Sequence, residues 1–92
     1  MKAKEIVWSE LVASPDDWHY DGYVGNKLVY RIYDNSIHAC EYYFISSMLP
    51  RNPYDLMEQE FHSLNDAKAK CEEDLRRYVD WLQNQLQWLG GN

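Results

Sequence analysis

Positive charge, cysteine and long apolar runs are all scarce in this chain. Nine Lys and Arg stand against fifteen Asp and Glu, a formal charge of −6 over 92 residues. That deficit disfavours unspecific binding to nucleic acid or to an anionic membrane. No segment approaches the roughly eighteen consecutive apolar residues of a membrane span. Met1-Lys-Ala-Lys-Glu5 lacks the apolar run that follows the charges of a secretion signal, so a cytoplasmic protein is expected. The two cysteines, Cys40 and Cys71, fall on a strand pattern and on an apolar helix stripe. In that compartment they read as reduced, buried small hydrophobes, with a Cys40–Cys71 disulfide as the alternative. Internal repeats and low-complexity segments are absent.

Signatures of chemistry are missing as well. The chain holds no G-x-G-x-x-G, P-loop or G-x-S-x-G sequence. His19, His38 and His62 share no metal-ligand spacing, and His38 with Cys40 supplies only two ligands of one strand face. Ser46-Ser47 has no neighbouring activator for a nucleophile. Asp16-Asp17 resembles a paired-carboxylate site superficially, but adjacent side chains in a helical turn diverge. No catalytic residue, metal site or cofactor is therefore expected, and the protein reads as a non-enzyme.

What the chain does have is aromatic surface: eight Tyr and four Trp, with aromatics making 15% of all residues. So short a domain cannot bury them all, and exposed Trp and Tyr mark protein interfaces. The acids are uneven, with five basic and ten acidic residues in 1–62 against four and five in 63–92. An acidic front half suits a partner with a basic surface.

One domain of residues 1–92 is expected, with a sheet over roughly 5–62 and a helix over roughly 64–88. Glu5–Trp8 reads as a short strand. Ser14-Pro-Asp-Asp-Trp18 reads as a helical turn with Ser14 as its cap and acids at the positive end of the dipole. Trp18–Val24 reads as a second strand closing at the turn residues Gly25-Asn26. In Lys27–Tyr33 alternation points Leu28, Tyr30 and Ile32 inward and Lys27, Val29, Arg31 and Tyr33 outward. After a turn at Asp34-Asn-Ser36, the return strand Ile37–Ile45 is read with Cys40, Tyr42 and Phe44 inward. The opposite register would bury Ile37, Ala39 and Ile45 together with Glu41. Ser46–Met57 is a loop stiffened by Pro50 and Pro53, with a helical turn possible from Pro53, and Glu58–His62 is a last short strand.

Ser63 and Asp66 then form S-x-x-D, close to a capping box. From it Leu64, Ala67, Cys71, Leu75, Tyr78, Val79, Leu82, Leu86 and Leu89 recur in steps of three and four, until Gly90-Gly91 ends the helix. The fold class is α+β: an antiparallel sheet of three to four strands packed against one long C-terminal helix. Lys70, Arg77, Trp81 and Trp88 line up roughly 100–120° from the centre of the core stripe. They read either as a widening of the core or as a contact surface, since Arg and Trp anchor interfaces most often. Arg77 is placed to stack on Trp81. Arg51, between the two prolines, is a second candidate contact, because a stiff loop loses little entropy on docking.

At Phe61-x-Ser-Leu-x-x-Ala-Lys-x-x-Cys-x-x-Asp-x-x-Arg77, preceded by Trp8 and the Tyr30-Arg-Ile32 strand, the chain resembles small phage and prophage proteins of proteobacteria. Their pattern is F-x-S-L-E-E-A-K-x-x-C-x-x-D-Y-x-R-R; here Asn65-Asp66 replaces the acidic pair and Leu75 the tyrosine. The match covers about a fifth of the chain and consists of capping and packing positions, so it bears on fold more than on activity. The resemblance implies a role in countering host machinery, as anti-CRISPR proteins do. The expected function is then an anti-CRISPR-like inhibitor that binds an RNA-guided surveillance complex and blocks target DNA binding. Asp16, Asp17 and Asp21 would meet the basic groove, while Lys70, Arg77, Trp81, Trp88 and Arg51 anchor the contact. The alternative is a phage regulatory or recombination accessory protein working through protein contacts. Direct binding of single-stranded nucleic acid through Lys70, Arg77 and the tryptophans is disfavoured by charge.

Overall fold

The computed structural model describes residues 5–35, 42–50 and 60–90. Over these the chain forms a curled antiparallel meander followed by one helix. The strands are β1 (Val7–Trp8), β2 (Val12–Ala13), β3 (Trp18–Val24), β4 (Lys27–Asp34), β5 (Tyr43–Ser47) and β6 (Glu60–Phe61), and helix α1 spans Leu64–Gly90. Spatial order follows chain order, β1-β3-β4-β5-β6, with β2 also on β3. The α+β class and the single long helix are as the sequence implies; the sheet has more and shorter strands. β1 and β2 are one edge strand in two pieces. Val7 pairs Tyr23 and Trp8 pairs Gly22, whereas Val12 pairs His19 and Ala13 pairs Trp18, so one extra residue bulges out between the pieces. Ser9 covers that break: its N–H donates to Asp21 O at 2.8 Å, and its Oγ accepts from Asp21 N–H at 2.9 Å.

Residues 14–17 do not form a helical turn. They make the tight connection from β2 to β3, in which Ser14 N–H donates to Asp17 O at 2.9 Å and Ser14 Oγ accepts from Asp17 N–H at 3.1 Å. The serine caps a bend rather than a helix, because the register of β2 on β3 is set by Val12 and Ala13 and leaves four residues to turn in. At the other end of β3, Gly25 takes φ 63°, the conformation a two-residue hairpin needs and an L side chain resists.

Pairing shifts between Gly22 and Tyr23: Gly22 faces Tyr30 and Tyr23 faces Leu28, which leaves Val29 as the extra residue of a bulge. The bulge breaks the alternation read from the sequence. Val29 joins the core beside Tyr30, and Leu28 is only half-buried. Gly22 opposite the bulge has no room for a side chain, since an added Cβ would lie 2.7 Å from the Trp8 ring.

The return strand adopts the opposite register to the one read from its aromatics. Ile45 pairs Ile32 and is fully buried, while Phe44 pairs Tyr33 on the other face, with Tyr42 edge-on to it at 4.6 Å. Ile45 thereby joins the core between sheet and helix, and Tyr42 and Phe44 pack on each other on the opposite face. Ser46 and Ser47 belong to this strand, so the loop begins later than expected. Cys40, the Ser36 turn position, the Pro53 turn and Arg51 lie outside the described residues.

The core joins Ile6, Val29, Tyr30, Ile32 and Ile45 of the sheet to Ala67, Cys71 and Leu75 of α1. Helix capping follows the sequence: Ser63 Oγ accepts from Asp66 N–H at 3.3 Å and Ser63 O from Ala67 N–H at 3.1 Å. Lys68 spreads its ammonium 5.8 Å from both the Trp8 and Tyr20 rings, tying the first turns to β1 and β3.

Candidate partner-binding surfaces

The helix outruns the sheet. Its stripe is buried at Ala67, Cys71, Leu75 and Tyr78 and half-buried at Val79, but no residue from Asp80 onward is buried. Among the described residues the last tether is the Tyr78 hydroxyl, which donates to Pro50 O at 2.5 Å where the chain leaves β5. Beyond it Leu82, Leu86 and Leu89 are 38, 64 and 76% exposed. These three were expected in the core. A helix of 27 residues is about 40 Å long, whereas the described sheet residues cover only its first four turns or so.

Of the stripe Lys70, Arg77, Trp81 and Trp88, the two cations share one acid. Lys70 Nζ lies 3.2 Å and Arg77 Nη2 3.0 Å from the Glu73 carboxylate. Hydrogen bonding to Lys70, with the charges of Lys70 and Arg77, holds the Glu73 carboxyl below its usual range. Trp81 is half-buried with its ring 5.8 Å from that of Tyr78, its aromatic neighbour on α1. Trp88 is 83% exposed. The choice between core and surface thus resolves differently for the two tryptophans: Trp81 rests on the rim of the core, and Trp88 stands in solvent.

The three acids of the front half do not form one group. Asp16 is exposed. Asp17 Oδ1 lies 2.6 Å from His19 Nδ1, and Asp21 Oδ2 lies 3.7 Å from His19 Nε2. Asp21 is buried and accepts from Arg31 Nε at 2.8 Å. That bond raises the Arg31 pKa. Asp21 therefore has its charge matched inside the molecule, and of the three only Asp16 projects freely. The network occupies the sheet face away from α1, where His19 also meets Tyr33 edge-on. It places both imidazole nitrogens against carboxylates. Among the described residues no group of three or more His, Cys, Asp and Glu is arranged to hold a metal ion. Residues 5–24, which build β1 to β3, contain five carboxylates and no Lys or Arg. The segment itself is acidic, although Arg31 pairs with Asp21 and Lys68 lies over Trp8 and Tyr20.

Sequence reading missed Asp74. Its carboxylate accepts from the Tyr30 hydroxyl deep between sheet and helix, and Tyr30 itself is fully buried. Burial first, then Asp74, push the phenol far above its ordinary range. The signal was available: Asp74 sits three residues after Cys71 and four before Tyr78, on the core stripe.

No helix of the described residues is long and apolar enough to cross a membrane. Comparison with family models, with curated proteins and with solved structures finds no match to this chain.

Proposed function

We propose that this chain is a non-enzymatic inhibitor of anti-CRISPR type, which docks on an RNA-guided surveillance complex and keeps target DNA from pairing with the guide. The observation that carries the reading is Trp88, 83% exposed at the end of an ordered helix and aligned with Trp81, Arg77 and Lys70. A large rigid ring presented on a helix has the form of an interface anchor, and truncating such an anchor costs ~2 kcal/mol or more of binding. Residues 5–24, with five carboxylates and no Lys or Arg of their own, supply the long-range attraction to a groove lined with basic residues. The choice of partner comes from the resemblance at residues 61–77.

Trp88→Ala tests it. The variant should keep the fold and dissociate from a purified surveillance complex at least tenfold faster than the parent chain. Asp16→Asn should slow association at low salt only. If the parent chain neither binds such complexes nor competes with their target DNA, the inhibitor reading is wrong. One observation favours the second reading, an accessory protein acting through protein contacts. The last charged residue of α1 is Asp80, so the distal helix offers a basic groove no countercharge. Binding through Trp88 to a protein with no nucleic-acid groove would select that reading.

A further inference from the structure

From Leu75 onward the apolar stripe settles into alternate steps of four and three: Leu75, Val79, Leu82, Leu86, Leu89. That is heptad spacing, with Val79 and Leu86 at one core position and Leu75, Leu82 and Leu89 at the other. The helix's own sheet uses the first two of these; the other three are exposed. We infer that this distal segment pairs antiparallel with the same segment of a second copy of the chain. The inference stands apart from the function proposed above.

Charge selects the occupant. Trp81 to Asn92 contains no ionisable side chain, in a protein where 26% of residues are charged. Along the leucine seam a basic partner would find no acid to pair with, whereas two copies each carrying −6 repel least where the acids are left out. The positions flanking the seam are Gln83 and Gln85. Each amide both donates and accepts, so each can pair with its own counterpart across a twofold axis.

Orientation follows from the bodies and the dipoles. A parallel pair would bring two acidic domains side by side and align both helix dipoles. An antiparallel pair centred at the level of Asn84 sets Leu82 against Leu86 of the second copy and Val79 against Leu89 of the second copy. In that register Arg76 lies beside Gly90 of the second copy, at the negative end of its helix. The last turn of α1 has no basic residue of its own to meet that end. Leucines and glutamines of this length cover roughly 400–500 Å² per copy, at the small end of specific interfaces. The dimer should therefore dissociate on the order of 10–100 µM. Trp88 lies roughly 130° around the helix from the seam and stays accessible in the pair.

Sedimentation velocity of the full chain over about 1–500 µM should show a reversible monomer–dimer equilibrium. Leu86→Glu should raise the dissociation constant at least tenfold while leaving the circular dichroism of the monomer unchanged. Arg76→Glu should raise it by a few-fold. In a Cys40→Ser background, Gln85→Cys should cross-link two chains on oxidation and Asn84→Cys, on the outer face, should not. A monomer throughout the range, or a dimer indifferent to Leu86→Glu, would overturn the pairing. Cross-linking at position 84 rather than 85 would overturn the register.

Discussion

Up to Val79 helix α1 contributes to the core, and after it the same helix has no buried residue. The two parts share one apolar periodicity and differ in what stands opposite. The proximal part faces Tyr30, Ile32 and Ile45, and carries a buried carboxylate bonded to a sheet hydroxyl. The distal part has no buried residue and, past Asp80, no charge. Periodicity therefore reports which side chains share a face, while the length of the opposing sheet decides how many of them become core. Leu75 and Leu86 make the contrast quantitative, being 7 and 64% exposed on one stripe of one helix.

Leu75→Ala should produce the largest effect. Removing a buried leucine under a sheet loses transfer energy and leaves a cavity, about 2–5 kcal/mol in all. Chemical denaturation of the variant against the parent chain measures it. A loss under 1 kcal/mol would mean that the proximal half is no better packed than the distal half.

The Asp74–Tyr30 bond comes next. Asp74→Ala removes a buried acceptor and strands the Tyr30 hydroxyl, at about 1–3 kcal/mol. Tyr30→Phe removes the hydroxyl that donates to the carboxylate instead. The double variant should be less destabilised than the sum of the two, because neither group is then left alone. Strict additivity in the denaturation data would show that the two groups do not act together.

How much of this was legible depended on whether a signal was local. The Ser63 cap, the helix from Leu64 and the Gly25-Asn26 turn are written in adjacent residues, and all appear where the sequence places them. The burial of Cys71 was legible from its neighbours Ala67 and Leu75. The exchange of Leu28 and Val29 was not, because it depends on a bulge in the pairing of β4 with β3 between Gly22 and Tyr23. The β5 register failed for a related reason. Aromatic content suggests core, whereas Tyr42 and Phe44 lie on the face away from α1 and Ile45 takes the interior. Asp21 was read as a surface charge because Arg31, its partner, is ten positions away and is brought near only by the β3–β4 register. Lys70, Arg77, Trp81 and Trp88 all lie on the one continuous helix α1. That Trp81 and Trp88 differ so much in exposure follows from where the sheet ends, which no helical wheel contains.

The proximal half should also impose a pH dependence that the distal half lacks. Burial, then the Asp74 charge, raise the Cys71 thiol above its ordinary value of 9.0, and burial with Asp74 raises Tyr30 above 10.0. In the unfolded chain both groups ionise at their ordinary values, so at alkaline pH the unfolded state binds fewer protons than the folded one. Stability from these two groups is complete below pH 9 and declines as pH rises through 9 and then 10. Thermal melts should be level to about pH 8.5 and fall beyond it, and Cys71→Ala should move the onset toward pH 10. An unchanged onset in that variant would remove Cys71 from the account.

The smallest effect belongs to the distal half and is the sharpest test of the comparison. Leu86→Ala removes as many atoms as Leu75→Ala, from a side chain that is already largely in water. Alanine also has the higher helix propensity, which offsets part of whatever contact is lost. At about 1 µM, where the chain is monomeric on the pairing argued above, the variant should lie within ±0.5 kcal/mol of the parent chain. At several hundred micromolar the parent chain should gain stability from association and the variant should not, so the two melts separate with concentration alone. A loss of 2 kcal/mol or more at the low concentration would place Leu86 in the monomer core, and the division of the helix at Val79 would then be wrong.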